Sequence, residues 1–349
     1  MRFTAGKMAG RVPHFIGEAL ALLLALVLAA TVGPAAASPL DAAMDKVLIV
    51  HSADDEDRFL GSAFVWTDGT VAVTNAHVVG DAEEVRLIDR HGVEETALVI
   101  ARDPVRDVAV ISLIPGREGL EQAGATPDLG AVVFALGAPL GVEFSLTQGM
   151  ISATGRQVEI TVPLYLLQHD AAVNPGSSGG PLVDAEGRLL GMNSQIVDGS
   201  RMFVGIAYAI SVADLDRIVT GLIAETLTPY PHLGLTARAV DRQVAKALGV
   251  SEGGLLLDAV TPGGLAETAG LMAGDIITGA DGADLAHPGD LAFAIEAALD
   301  AGAASLTIHR EGAEVEIALA LTAPEVAEDG VLRQLGGEAM PAMVSSYSL

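Results

Sequence analysis

Residues 174–182 read NPGSSGGPL, and residues 183–192 continue VDAEGRLLGM. The residues after the serine pair decide the fold. The first stretch is a poor helix and a poor strand, because Gly loses backbone entropy on ordering and Pro removes a donor. Such a segment makes a turn, or aims backbone N–H groups and one hydroxyl at a shared point. GSSGG also satisfies a G-x-S-x-G pattern, which on one α/β architecture puts the serine on a strand-to-helix elbow, with acid and histidine later in the chain. Here Pro181 and two apolar runs flanking Glu186-Gly187 come next instead. That is strand, turn, strand. The elbow is excluded.

Working outward, Val47 to Ile210 is built of short apolar runs separated by turn signals: SAFVW before TDG, TVAVTNAHVV, VRLIDRHGVEETALVIA, VAVISLI and AVVFALGAPLG. Runs this short, at this spacing, read as antiparallel strands of a barrel or sandwich. One helix comes after them. Ser211 and Asp214 form a capping-box-like start, and Val212, Leu215, Ile218, Val219, Leu222 and Ile223 recur at helical spacing. TPYPHLG (residues 228–234) breaks the pattern with two prolines and reads as a linker. Beyond it lies a second unit with strand GLTARAV, helix DRQVAKALG, strand GGLLLDAV, helix PGDLAFAIEAALDA and hairpin ASLTIHREGAEVEIALAL. Residues 323–349 keep no period and read as a mobile tail.

Half of the 349 residues are apolar, so a packed core is expected. The formal charge of −26 argues against nucleic acid or an anionic membrane as partner, since both call for basic patches. Cysteine is absent, which removes disulfides, thiolate metal sites and cysteine nucleophiles. No metal-ligand cluster or nucleotide loop is visible, so neither metal nor cofactor is expected. At the N-terminus, Arg2, Lys7 and Arg11 precede the apolar run ALALLLALVLAATV (residues 19–32) and then GPAAASP. This is the layout of a secretory signal peptide over residues 1–37. A spanning helix needs about 20 apolar residues, so a retained anchor is the minority reading. Removing residues 1–37 takes away three basic residues and one acid, leaving a more acidic exported chain.

If Ser178 is a nucleophile, it needs a base to take its proton and an acid to orient that base. His77 stands out among the eight histidines because it closes TVAVTNAHVV, where a strand end presents a side chain at a rim. Asp107, in DPVRDVAVISL, stands at the entry to an apolar run that reads as a buried strand, and a carboxylate there needs a partner. Each alone is weak: a half-buried structural histidine, a turn-capping aspartate, a Gly-rich hairpin loop. The order His77, Asp107, Ser178 is that of the chymotrypsin-like proteases. The N–H groups of Gly176 and Ser178, two residues apart, would then hold an oxyanion. Ser177 reads as scaffold.

TNAHVV, RDVAVI and DAAVNPGSSGGPL resemble the three active-site motifs of the HtrA/Deg family of serine proteases. ALGAPLGVEFSLTQGMISATGR is similar to its intervening strands, and the second unit resembles its PDZ domain. The similarity covers roughly residues 45–322. It implies a mainly β fold: a chymotrypsin-like double β-barrel protease domain (38–228), then a smaller α+β PDZ domain (229–322). It further implies His77 as general base, Asp107 as its orienter and Ser178 as nucleophile. The implied protein is an exported, periplasmic, ATP-independent endopeptidase of unfolded or mislocalised proteins, assembled as a homotrimer. GSA (residues 61–63) stands where the family has Gly-Ser-Gly, and Ser177 where it has Asn; neither change removes a catalytic group.

By the same resemblance the S1 pocket is lined from Ile196 and from Ile206 in VGIAYAI, which implies small or medium aliphatic P1 side chains. HLGL (residues 232–235) resembles the carboxylate-binding loop, with Leu233, Gly234 and Leu235 offering N–H groups to a C-terminal peptide. Ile295, with Ala292 and Leu299, lies along one face of the neighbouring helix, as groove wall or as core. Two other readings stay open: a non-catalytic chaperone or PDZ scaffold, and a regulatory protease with one dedicated membrane-protein substrate.

Overall fold

The first six strands alternate apolar side chains between two destinations, and that alternation builds the first barrel. They are β1 (Val47–Ser52), β2 (Phe59–Val65), β3 (Val71–Thr74), β4 (Glu84–Asp89), β5 (Glu94–Asp103) and β6 (Val108–Ser112), closed in the order β1-β2-β3-β6-β5-β4. On β3 and β6, Ala72, Ala109 and Ile111 point into the barrel, while Val71, Val73, Val108 and Val110 point out into a second cluster. Successive side chains of a strand take opposite faces, and both faces here are buried. That is why these strands read as unbroken apolar runs. By contrast, β5 alternates exposed and buried positions from Glu94 to Val99.

A second closed barrel, β10-β11-β12-β9-β8-β7, repeats the plan. Its strands are β7 (Val132–Gly137), β8 (Ser145–Arg156), β9 (Leu166–His169), β10 (Pro181–Val183), β11 (Leu189–Ile196) and β12 (Ala207–Ser211). Leu182, Leu190, Ala207 and Ala209 fill its interior, and Val183, Leu189, Met192 and Ile210 face outward. The outward faces of the two barrels share one cluster, joined by Phe64, Trp66, Leu136 and Leu164. Truncating a fully buried aromatic such as Phe64 costs about 3–5 kcal/mol.

Short helices punctuate the strands. α1 (Pro39–Met44) precedes β1, and α2 (Ala76–Val79) is a single turn after β3. α3 (Val212–Ile223) starts where the capping residues indicate, the Ser211 hydroxyl accepting from the Asp214 N–H, and it lays Leu215, Ile218 and Val219 on the shared cluster.

Past the linker, strands β13 (Leu235–Ala239), β14 (Leu255–Val260), β15 (Ile276–Ala280), β17 (Ala303–Arg310) and β18 (Ala313–Ala320) form one antiparallel sheet in that order, with β16 (Ala283–Asp284) beside β15. α4 (Arg242–Leu248) is closed at its N-terminus by the Asp241 carboxylate and at its C-terminus by Gly249 at φ 71°. α5 (Leu265–Thr268) and α6 (Asp290–Ala298) complete the unit. The β17–β18 turn places Glu311 and Gly312 both at positive φ, the twist a two-residue hairpin needs.

The computed structural model describes residues 38–54, 58–139, 144–196, 204–250 and 253–321. The leader (1–37) and tail (323–349) read from the sequence lie outside the described residues. Everything described from Pro39 onward belongs to one compact unit. Among the described residues no helix is long and apolar enough to cross a membrane.

Candidate active site

His77 is not at a strand end, as its sequence pattern suggests. β3 stops at Thr74, Asn75 is extended (φ −74°, ψ 146°), and His77 stands on the single turn α2. The turn is held from below: Arg102 donates to the carbonyls of Gly80 and Ala82, just past its C-terminus. The imidazole is half exposed, with 52% of the side chain open to solvent.

Asp107 directly precedes β6, as the apolar run indicates, and its backbone sits at φ 56°. Aspartate tolerates the left-handed region better than most residues, yet a non-glycine there is held by its surroundings. Asn75 Nδ2 donates to the Asp107 carbonyl at 3.0 Å. The His77 backbone N–H reaches Asp107 Oδ1 at 3.1 Å, and His77 Nδ1 lies 2.9 and 3.0 Å from Oδ1 and Oδ2. Ser194 Oγ donates to Oδ2 at 2.7 Å. Burial alone would lower the His77 pKa, but the Asp107 hydrogen bond and charge outweigh it and hold the imidazole above its usual 6.5.

The nucleophile loop is two consecutive turns. Ser177 N–H donates to the Asn174 carbonyl, and Gly180 N–H to that of Ser177. Gly176 (φ 100°) and Gly179 (φ 81°) supply the positive φ values. Space also requires glycine here. A Cβ on Gly179 would lie 2.0 Å from the Ser62 carbonyl, and one on Gly176 2.6 Å from Phe59 Cε1. The N–H groups of Ser177, Gly179 and Gly180 are engaged within the fold, whereas those of Gly176 and Ser178 make no hydrogen bond. They are the pair the sequence spacing selects as an oxyanion hole.

Three residues that organise the site escaped the sequence reading. Ser62, on β2, crosses between barrels. Its N–H donates to the Ser178 carbonyl at 3.0 Å, and its hydroxyl donates to the Gly176 carbonyl at 2.7 Å while accepting from Ala138 N–H. Asn75 fixes the Asp107 backbone. Ser194, on β11, touches both halves of the constellation: its hydroxyl binds Asp107, and its carbonyl accepts from Ser178 Oγ at 3.2 Å. The Ser178 hydroxyl thus points to Ser194 and not to the imidazole. Ser177 Oγ accepts from Asn174 N–H, consistent with a scaffold residue.

The remaining expected positions are dispersed. Ile206 is half-buried just ahead of β12. Ile196 closes β11 opposite Ala207, and its side chain lies outside the described residues. In the second unit, the carbonyls of Leu233 and Gly234 accept from Ala266 and Thr261, while their own N–H groups make no hydrogen bond. Gly234 stands at φ 71°, and Leu235 begins β13 at the sheet edge. Ile295 is fully buried on α6 and packs in the core with Leu233, so it does not stand open as a groove wall. Among the described residues no cluster of three or more His, Asp and Glu could hold a metal ion.

Residues 61–192 match the sequence model of the trypsin-like peptidase domain, and residues 257–310 that of the PDZ domain. A probable periplasmic serine endoprotease, DegP-like, from Marinomonas sp. is 33% identical over 269 residues, which are 76% of this chain and 57% of the relative. Its counterpart from Chlamydia trachomatis is 34% identical over 80% of this chain and 57% of the relative. This chain therefore spans a little over half the length of these curated relatives. Among solved structures, the HtrA-type protease AlgW with a decapeptide superposes at TM-score 0.65 with 27% identity, covering 81% of this chain and 97% of that one. The serine endoprotease from Yersinia pestis gives 0.62 and 26% over 81% and 95%. With two closed barrels, a histidine–aspartate pair beside a glycine-framed serine, and a PDZ unit after them, the chain belongs to the HtrA/Deg family of serine proteases.

Proposed function

We propose that this chain is an exported, ATP-independent serine endopeptidase that degrades or processes unfolded or mislocalised proteins. Ser194 carries the reading. It gathers a histidine–carboxylate pair from one barrel and a serine from the other around a single residue.

In this reading Ser178 Oγ leaves the Ser194 carbonyl and turns to His77 Nε2. A bond forms from Oγ to the scissile carbonyl carbon while the proton passes to Nε2, and Asp107 stabilises the imidazolium at Nδ1. The carbonyl oxygen, now negative, falls between the N–H groups of Gly176 and Ser178; losing one such donor costs about 3–4 kcal/mol of barrier. His77 gives its proton to the leaving amine. Water then repeats the sequence on the acyl-enzyme. The raised pKa of His77 makes it the stronger base for the first step.

Ile196 and Ile206 line S1 and favour small or medium aliphatic P1 residues. The protease domain runs from 38 to 228 and the PDZ domain from 229 to 322, after a signal peptide (1–37) that directs the chain to the periplasm and before a C-terminal tail (323–349). The free N–H groups of Leu233 and Gly234, with that of Leu235, take the C-terminus of a peptide that adds a strand beside β13. The AlgW structure with a decapeptide supports peptide binding as such, and the periplasmic naming of the relatives supports the location. The assembly is a homotrimer.

The test compares the chain with its Ser178→Ala variant on an unfolded model protein, with cut sites read by mass spectrometry. Cleavage by the wild type alone, after aliphatic residues, is the expected result. Cleavage mainly after Lys or Arg overturns the S1 assignment. No cleavage, and no fluorophosphonate labelling at Ser178, moves the reading to a non-catalytic scaffold.

A further inference from the structure

Arg106 is the largest fully buried side chain described, and the proposed mechanism gives it no role. It stands immediately before Asp107. Its neighbours belong to both domains. On the protease side, Asp103 Oδ1 accepts from the N–H groups of Val105 and Arg106, and Asp103 Oδ2 pairs with Arg106 Nη1. On the PDZ side, Glu296 of α6 takes Arg106 Nε at 2.9 Å and Nη2 at 2.7 Å through the same oxygen. The guanidinium also lies 5.5 Å from the Tyr230 ring centroid, over the linker. Val105, one residue earlier, packs against the core of the second unit.

A turn of five residues, Asp103 to Asp107, therefore inserts two side chains into the second domain and presents a third to His77. A guanidinium buried to this degree is tolerated only when paired, and removing one partner leaves an uncompensated charge. Glu296 supplies much of that pairing from outside the protease domain. It is itself held by Arg217 of α3 at 2.7 Å, so the carboxylate is fixed from two sides. Asp107, meanwhile, sits in a strained backbone conformation and lines a pocket of about 30 Å³ together with Val105, Val162, Leu164 and Ser194 among others.

We infer that Arg106 and Glu296 form an interdomain clamp that positions the catalytic acid, so that the active site is incomplete without a carboxylate from the PDZ domain. The inference rests on the reading of Asp107 as partner of His77. Arg106 and Glu296 are positioning residues; neither reaches the substrate.

The test uses the full chain as wild type, Glu296→Gln, Arg106→Met, the double variant and Tyr165→Ala. Tyr165 stacks on Phe293 of α6 at 4.4 Å, so its truncation loosens the same interface away from the clamp. Two readouts are taken: titration of the His77 imidazole by NMR, assigned with His77→Gln, and the rate of fluorophosphonate labelling at Ser178. Glu296→Gln is expected to slow labelling about tenfold and lower the His77 pKa by about half a unit or more, because Asp107 drifts from Nδ1. In the Arg106→Met background the same change should add less than about twofold. Tyr165→Ala should leave the titration in place. The inference is overturned if Glu296→Gln titrates like wild type, if the effects multiply in the double variant, or if Tyr165→Ala shifts His77 equally. A folded wild type that never labels defeats the protease reading instead, and the His77 titration still decides the clamp.

Discussion

Ser194 Oγ donates to Asp107 Oδ2 at 2.7 Å, so the carboxylate facing His77 is held by a strand of the other barrel. Hydrogen bonds to a charged group contribute about 1.5–3 kcal/mol. Ser194→Ala is therefore expected to lower kcat/KM by about 10–100-fold, with KM little changed. The backbone carbonyl that Ser178 uses remains. Steady-state kinetics on a peptide substrate check it, and an unchanged kcat denies Ser194 its part.

The Asp107 carboxylate is what lifts the His77 pKa, against a burial effect of the opposite sign. In the wild type the acid limb of kcat/KM, where His77 gains its proton, should lie above pH 6.5. In Asp107→Asn only the burial effect remains, so the limb should move below 6.5 while the rate drops by about 10³–10⁴-fold, as in related triads. A limb that stays put would mean that another group sets it.

His169 faces the interior of the second barrel. Strand pairing puts it opposite Ala207, and Asn193 opposite Ala209, so the two polar side chains share one face across a pair of alanines. His169 is fully buried, and the Asn193 amide is its polar neighbour, but no well-formed hydrogen bond satisfies either ring nitrogen or the Asn193 amide oxygen. Burial drives the His169 pKa down to about 4, against the weaker raising pull of Asn193 and the Asp170 charge. The folded state thus refuses a proton that the unfolded chain accepts at 6.5. Stability from this group is complete above pH 6.5 and declines as pH falls towards 4. The loss is about 3 kcal/mol. His169→Leu should flatten that part of the pH–stability curve in urea denaturation; an unaltered slope would place the acid sensitivity elsewhere.

Gly179 has no room for a side chain: a Cβ would meet the Ser62 carbonyl at 2.0 Å and Thr74 Oγ1 at 2.2 Å, at a φ of 81° that other residues avoid. Gly179→Ala is expected to cost about 1–3 kcal/mol or more in backbone strain alone. It should abolish labelling of the adjacent Ser178 before it unfolds the barrels, as circular dichroism would report. A variant that labels at the wild-type rate would mean the loop relaxes freely.

Much of this architecture was legible because local signals agree with the fold. Glu186-Gly187 does close a hairpin between β10 and β11, and Ser211 does cap α3. The doubly buried strands announce themselves as unbroken apolar runs. His77, Asp107 and Ser178 could be picked out by residue type and order. The contacts around them could not. Ser62 lies 114 residues from Gly176, and Ser194 87 residues from Asp107, so no window of sequence contains either pair. Asn75 was in plain sight in TNAHVV, but its task depends on Asp107 turning at φ 56°. The helical turn under His77 was hidden because four residues are too few to show a period. Ile295 recurs on α6 at the spacing of a groove wall, and the same spacing serves a core.

The outward faces of both barrels fill one common cluster, and α3 seals it. Neither barrel keeps a complete set of neighbours if the other melts. Denaturant should therefore remove catalysis and the tryptophan signal of Trp66 in a single transition at one concentration, and the slowest-exchanging amides should be found in both barrels together.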